Sequence, residues 1–176
     1  MTAFASPEDM ERRSLGQITA ATHPFLADEL EAATAAIRAF CGWHIAQTEA
    51  VTFIRRFPYV EQVYLPAGNV LGVSAAVVDG ITFDAEQLEA VEFDPLTGWT
   101  NIAGRAVSVT FNAGFAEVPA DLKLLTLELA AGALGSPLGV TREQAGGVSV
   151  LLDRVSGDLT DADHARLVPY RLGRLP

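Results

Sequence analysis

The residue types able to do chemistry are few and far apart in this chain. Cys41-Gly42-Trp43-His44 sets the single cysteine three positions before a histidine, a spacing that could begin a metal site. His23 and His164 lie far off in sequence and no second cysteine completes a tetrahedral set, so Cys41 reads as a small buried residue. Asp158, Asp161 and Asp163 gather carboxylates beside His164. A calcium loop needs a central glycine and a closing glutamate that this stretch lacks, and helix capping accounts for two of the three acids. Gly139, Gly146 and Gly147 lack the strand–glycine–helix order of a dinucleotide fingerprint. Trp43, Trp99, Phe53, Phe83, Phe93 and Phe111 could stack a ligand, but their strand-like spacing assigns them to the core of a sheet. There is no Gly-x-Ser-x-Gly, no glycine-rich phosphate loop ending in lysine and no His-Glu-x-x-His. The expectation is a protein that is not an enzyme, with no catalytic residues, cofactor or metal.

Composition narrows the partners. With 176 residues, 49% hydrophobic and 19% charged, the chain is long enough for one domain with a sizeable core. The 22 acidic against 12 basic side chains give a net charge of −10, which disfavours attraction to phosphate backbones. Arg12-Arg13 and Arg55-Arg56 are the only basic doublets and read as solvated faces. The most apolar stretch, Leu122 to Leu134, is broken by Glu128 and Gly132 and falls short of the roughly 18 residues of a membrane span. The start of the chain carries no secretory pattern, so no specific nucleic acid or membrane partner is expected, and synthesis should end in the cytoplasm.

The elements follow from periodicity and punctuation. Ser6-Pro7-Glu8-Asp9 starts a short helix to about Arg13. Leu26, Leu30, Ala33, Ile37 and Phe40 recur at spacings of four, three, four and three, one face of a long helix that Gly42 stops. Short β-rich runs follow, at Ala50–Arg55, Gln62–Leu65, Leu71–Val78, Ile81–Phe83, Leu88–Phe93, Trp99–Ile102 and Val107–Phe111, with Asp79-Gly80 as a hairpin turn. Val118-Pro119-Ala120-Asp121 opens a second long helix over 119–134, whose Leu122, Leu125, Leu129 and Ala133 stripe is widened by Leu124 and Leu127. The segment 136–147 reads as a flexible loop, Gly147–Leu152 as a brief strand, and Thr160 with Asp163 caps a last helix over 161–168 before the tail 169–176. The expected fold is therefore α+β and a single domain. Two long antiparallel-packed helices, with short helices at each end, would hold a small antiparallel sheet over 49–115 inserted between them.

Several segments together carry a resemblance. They are Ala5-Ser6-Pro7-Glu8-Asp9-Met10, then Ala36-Ile37-Arg38-Ala39-Phe40-Cys41-Gly42-Trp43-His44-Ile45, and Val77-Val78-Asp79-Gly80. After these come Val107-Ser108-Val109-Thr110-Phe111-Asn112-Ala113-Gly114-Phe115 leading to Val118-Pro119-Ala120-Asp121-Leu122-Lys123, then Gly139 to Val150, and Leu167-Val168-Pro169-Tyr170-Arg171. In this order they resemble the head-to-tail connector (adaptor) family of tailed bacteriophages, in versions found in phages of actinobacteria. Arg55-Arg56-Phe57-Pro58-Tyr59-Val60 departs from the pattern, with little turn chemistry between the first two strands.

The resemblance implies a virion structural protein that forms a ring of about twelve copies below the portal. Such a ring extends the DNA channel and offers the attachment surface for a stopper or tail-completion protein; its place is the neck of the virion, after assembly in the host cytoplasm. It also implies a portal-binding segment at Leu167, Pro169, Tyr170, Arg171, Leu172 and Arg174, whose aromatic and arginines suit a docking tail. Thr141, Arg142, Glu143, Gln144, Gly146 and Gly147 form the loop expected to contribute ring contacts. The alternatives are a small-ligand-binding or enzymatic α+β domain with a pocket between sheet and helices, or another neck protein such as the stopper.

Overall fold

A computed structural model describes residues 2–135, 142–145, 148–151 and 159–173. The chain divides into two compact units: Met1–Phe40 with Pro119–Pro169, and Cys41–Val118 with Tyr170–Pro176.

The first unit is helical. Helix α1 (Pro7–Arg13) begins where the Ser6 hydroxyl accepts from the Asp9 N–H and the Asp9 carboxylate accepts from the Ser6 N–H, a reciprocal capping box. Helix α2 (Leu26–Cys41) buries Leu26, Leu30, Ala33 and Ile37, the one-faced stripe of its sequence. Buried Thr34 donates to the Leu30 carbonyl at 2.8 Å and accepts from the Phe4 N–H at 3.0 Å, which ties the segment before α1 to this helix. Helix α4 (Ala120–Gly135) buries Leu122, Leu125, Thr126, Leu129, Ala130 and Ala133 on one broad face and Leu127 beyond it, so its buried surface extends past a single stripe. Leu127 and Ala130 share a cluster with Ala5, Met10, Leu26 and Leu30. Helix α5 (Asp161–Leu167) starts at a second capping box, Thr160 with Asp163, and runs into a 3-10 turn, Val168–Tyr170. Strands β7 (Arg142–Ala145) and β8 (Val148–Leu151) pair as an antiparallel ladder.

Polar contacts between the helices are few and specific. Asp9 faces Lys123 at 2.7 Å and is also paired with Arg12. Glu128 accepts from Arg166 at 2.9 Å, with Arg13 at 3.6 Å.

The second unit is built on a four-stranded antiparallel sheet in the order β1-β6-β3-β4. Its strands are β1 (Glu49–Val60), β3 (Val70–Val78), β4 (Ile81–Thr82) and β6 (Gly104–Ala113). Central β6 buries Val107, Val109, Phe111 and Ala113 on one face, while Arg105 and Asn112 stay exposed. The β3–β4 turn uses Asp79 at φ 51° and Gly80 at φ 85°, the left-handed pair that a two-residue hairpin demands. The Asp79 carboxylate accepts from the N–H groups of Arg105 and Ala106, so the turn also fixes the start of β6. Helix α3 (Ala85–Glu89) lies against β3, and a separate ladder joins β2 (Val63–Tyr64) to β5 (Trp99–Thr100).

This architecture corrects the expected one. The fold is α+β, but two long antiparallel-packed helices around one small sheet is not what forms. Among the described residues there are five α-helices, a four-stranded sheet and further two-stranded ladders. The cause lies first in α4, whose burial on several sides cannot be met by one partner helix. It lies next in β1, which continues through Arg55-Arg56-Phe57-Pro58 for twelve residues. Pro58 is tolerated because β1 is an edge strand whose register slips between Arg56 and Val60. Of the expected strand Leu88–Phe93, Leu88 and Glu89 belong to α3, whose start Asp84 and Gln87 close with a third capping box, and only Phe93 makes a β-bridge, with Thr100. Of the expected loop 136–147, Arg142–Ala145 is strand, while 136–141 and 146–147 lie outside the described residues.

Burial opposes ionisation of Asp9, yet the hydrogen bonds from Lys123, the Ser6 backbone and Arg12 outweigh it and bring the carboxyl down from 3.8 to about 2. A lowered folded-state value means that the stabilisation is present above about pH 4 and is lost as pH falls towards 2. Discounted for solvent screening, the effect is on the order of 1 kcal/mol. Asp9→Asn should therefore lower the thermal midpoint at neutral pH, and melts repeated in steps below about pH 4 should show the gap between variant and wild type closing.

Candidate functional site

Two segments singled out separately in the sequence meet in the second unit. Trp43 is buried, and its Nε1–H donates to the Tyr170 carbonyl at 2.6 Å. The Tyr170 ring meets Phe115 edge-on at 6.0 Å, and Phe115 in turn tilts against Trp43 at 6.4 Å. The Leu172 N–H donates to the Cys41 carbonyl at 3.0 Å. Residues 170–172 are thus held at both backbone and ring. Gly114 makes room for the neighbouring turn: at φ 109°, a Cβ there would stand 2.7 Å from His44 Nε2.

The candidate chemical groups are all engaged structurally. Burial pushes the Cys41 thiol up to about 11 against the opposing charge of Arg171, so it is held as an unreactive thiol. His44 Nε2 stands 2.9 Å from the Ala113 carbonyl, which can only accept, so Nε2 carries the proton and donates. Asp163 is buried as the capping partner of Thr160, Asp161 is exposed, and His164 stacks on Phe40 at 4.5 Å. Asp158 lies outside the described residues. Among the described residues no group of three His, Cys, Asp or Glu side chains is placed to share a metal ion.

Of the segment expected to meet the portal, Leu167 is fully buried at the end of α5, whereas Val168 and Pro169 are exposed. Tyr170 and Leu172 are half-buried, Arg171 is exposed, and Arg174 lies outside the described residues. Of the expected ring-contact residues, Arg142, Glu143 and Gln144 pair through β7 with Leu151, Val150 and Ser149. Thr141, Gly146 and Gly147 lie outside the described residues.

The sequence did not single out the edge formed by β1. Of the six aromatics assigned to the sheet core, Trp43 and Phe111 are buried, while Phe53 and Trp99 are half-buried. Phe53, Phe57, Val60 and Tyr64 line an open groove of about 670 Å³, with Arg55, Glu61 and Gln62 around it. The Trp99 Nε1–H donates to Gln62 nearby at 2.7 Å. Ile54 and Tyr59 are 74% and 58% exposed, so apolar surface is presented on both sides of this strand. A proline and an arginine doublet inside an otherwise β-rich run were the signal for an open edge. Compared with known proteins, the sequence matches no family model and no curated protein.

Removing residues 170–176 is expected to cost about 1–2 kcal/mol through the orphaned Trp43 N–H and lost ring contacts, a fall of several degrees in melting midpoint. Trp43→Phe should reproduce part of that loss. Iodoacetamide should label Cys41 slowly in the intact protein and faster in the shortened one; equal labelling rates would show that residues 170–172 do not cover it.

Proposed function

We propose that this chain is a virion structural protein, the subunit of a head-to-tail connector that forms a ring of about twelve copies below the portal of a tailed phage. The observation that carries the reading is the ordered run of segments from Ala5-Ser6-Pro7 to Val168-Pro169-Tyr170-Arg171, which resembles that family along nearly the whole chain. In this role the ring extends the DNA channel and gives the stopper or tail-completion protein its attachment surface, and the protein's place is the virion neck.

The C-terminal segment supports a docking role in a particular way. Tyr170 and Leu172 fix the backbone through Trp43 and Cys41, leaving Val168, Pro169 and Arg171 exposed on a held segment. A segment already ordered loses less conformational entropy on binding than a free tail does. On this reading Arg171 and Arg174 pair with acidic groups of the portal. The excess of 22 acidic over 12 basic side chains suits a channel lining that repels the DNA backbone.

Arg171→Glu preserves the backbone bonds of the segment and should weaken binding to immobilised portal by roughly tenfold or more, because it sets like charges against each other across the contact. Unchanged binding would move the docking role to another surface, and no portal binding by the wild type would defeat the reading. In a separate gel-shift assay at low salt, the isolated subunit should leave duplex DNA unshifted; submicromolar binding would contradict the channel role.

A further inference from the structure

Charge is distributed unevenly in the second unit. Between Arg56 and Arg105 the sequence has no lysine or arginine, while Glu61, Asp79, Asp84, Glu86, Glu89, Glu92 and Asp94 all fall in that interval, six of them from Asp79 onward. The strand order β1-β6-β3-β4 converts this sequence asymmetry into a spatial one. Arg55 and Arg56 lie on edge strand β1, and Arg56 is paired with Ala106, next to Arg105. At the other edge stand β4 and α3, with exposed Asp84, Glu86 and Glu89, and α3 lies against β3. Arg55 and Arg56 have no carboxylate partner among the described residues.

Shape follows the same polarity. The basic edge borders the groove floored by Phe53 and Phe57, a concave apolar surface. The acidic edge presents Ile81, 66% exposed, between Asp79 and Asp84. The β1 edge therefore offers a groove with Arg55 along its floor and Glu61 at its end, and the other edge offers an exposed Ile81 among carboxylates alone.

We propose that these edges are the two halves of one heterologous contact between copies of this chain: the β1 groove of one copy receives the β4–α3 edge of the next. Ile81 seats on Phe53 and Phe57, and Arg55, on the groove face of the strand, meets Asp84, Glu86 and Glu89, while Arg56 lies on the opposite face and adds positive charge to the edge. The alternative of two β1 strands pairing with each other crowds the arginines of both copies at the centre of the ladder and enters Pro58 twice, where no N–H can be donated. A contact between unlike edges leaves each copy with a free half and so repeats, closing into a ring when its rotation permits. This inference deepens the connector reading, on which closure into a ring rests.

Charge reversal tests it with the intact chain. Arg55→Glu/Arg56→Glu makes both edges acidic, and Glu86→Lys/Glu89→Lys brings basic charge to the acidic edge; all four positions are exposed, and circular dichroism melts matching wild type establish that each variant folds. Sedimentation velocity over a concentration series should show wild-type association in about 0.1 M salt that weakens at least roughly tenfold near 1 M, where the Debye length falls from about 10 Å to about 3 Å. Each variant alone should be monomeric, and an equimolar mixture of the two should associate, because acidic edges then meet basic ones. Ile81→Arg should abolish wild-type association. Association of either variant alone at wild-type strength overturns the proposal, as does a mixture that stays monomeric. A wild type that remains monomeric at every concentration also overturns it, and portal binding by the same preparation then decides the connector reading on its own.

Discussion

The structure of the first unit depends on the burial of α4. An amphipathic helix is satisfied by one neighbour, but α4 buries residues around much of its circumference, from Leu122 and Leu125 to Leu127 and Ala130. Each fully buried leucine contributes about 1.5–3 kcal/mol only while it is kept from water, so the helix needs cover on several sides at once. Met10 of α1 and Leu26 and Leu30 of α2 provide some of it. The ion pairs sit where this cover meets solvent: Asp9 with Lys123, and Glu128 with Arg13 and Arg166. They orient α1 and α5 on α4 more than they hold the unit together, since exposed pairs contribute little.

The same logic, in β geometry, sets the second unit. β6 has two strand neighbours and an alternating buried face, so it is the strand that the others must match. Asp79 makes the match local, since one residue forms the turn between β3 and β4 and caps the first N–H groups of β6. β1 has β6 on one side only, and its length and proline follow from that freedom.

What the sequence made legible were features governed by a few adjacent residues. Ser6 and Thr160 each start a helix by a bond to the third residue on, and Asp79-Gly80 can turn only one way. The capping box at Asp84 and Gln87 was equally local, but the apolar Val91 and Phe93 alternate as a strand would and drew the boundary to the wrong element. What stayed hidden depends on partners distant in the chain. The cover of α4 comes from residues as early as Ala5 and Met10, and Trp43 meets the carbonyl of a residue 127 positions later. Periodicity reports that a face is apolar and says nothing of how many elements will share it. The groove beside β1 was hidden for a related reason, because Phe53 looks like core until the sheet order puts it at an edge.

The bond from Trp43 to Tyr170 has a consequence for synthesis. A ribosome makes the chain from its N-terminus at about 5–20 residues per second, and domains commonly fold as they emerge. Here the first unit draws on 119–169 and the second on Tyr170 and Leu172, so each joins an early segment to one made much later. A product that stops short of Tyr170 leaves the Trp43 N–H without its acceptor and the Cys41 carbonyl without the Leu172 N–H. The second unit thus closes on a segment made long after its sheet, and a chain interrupted between the two holds the sheet without that segment.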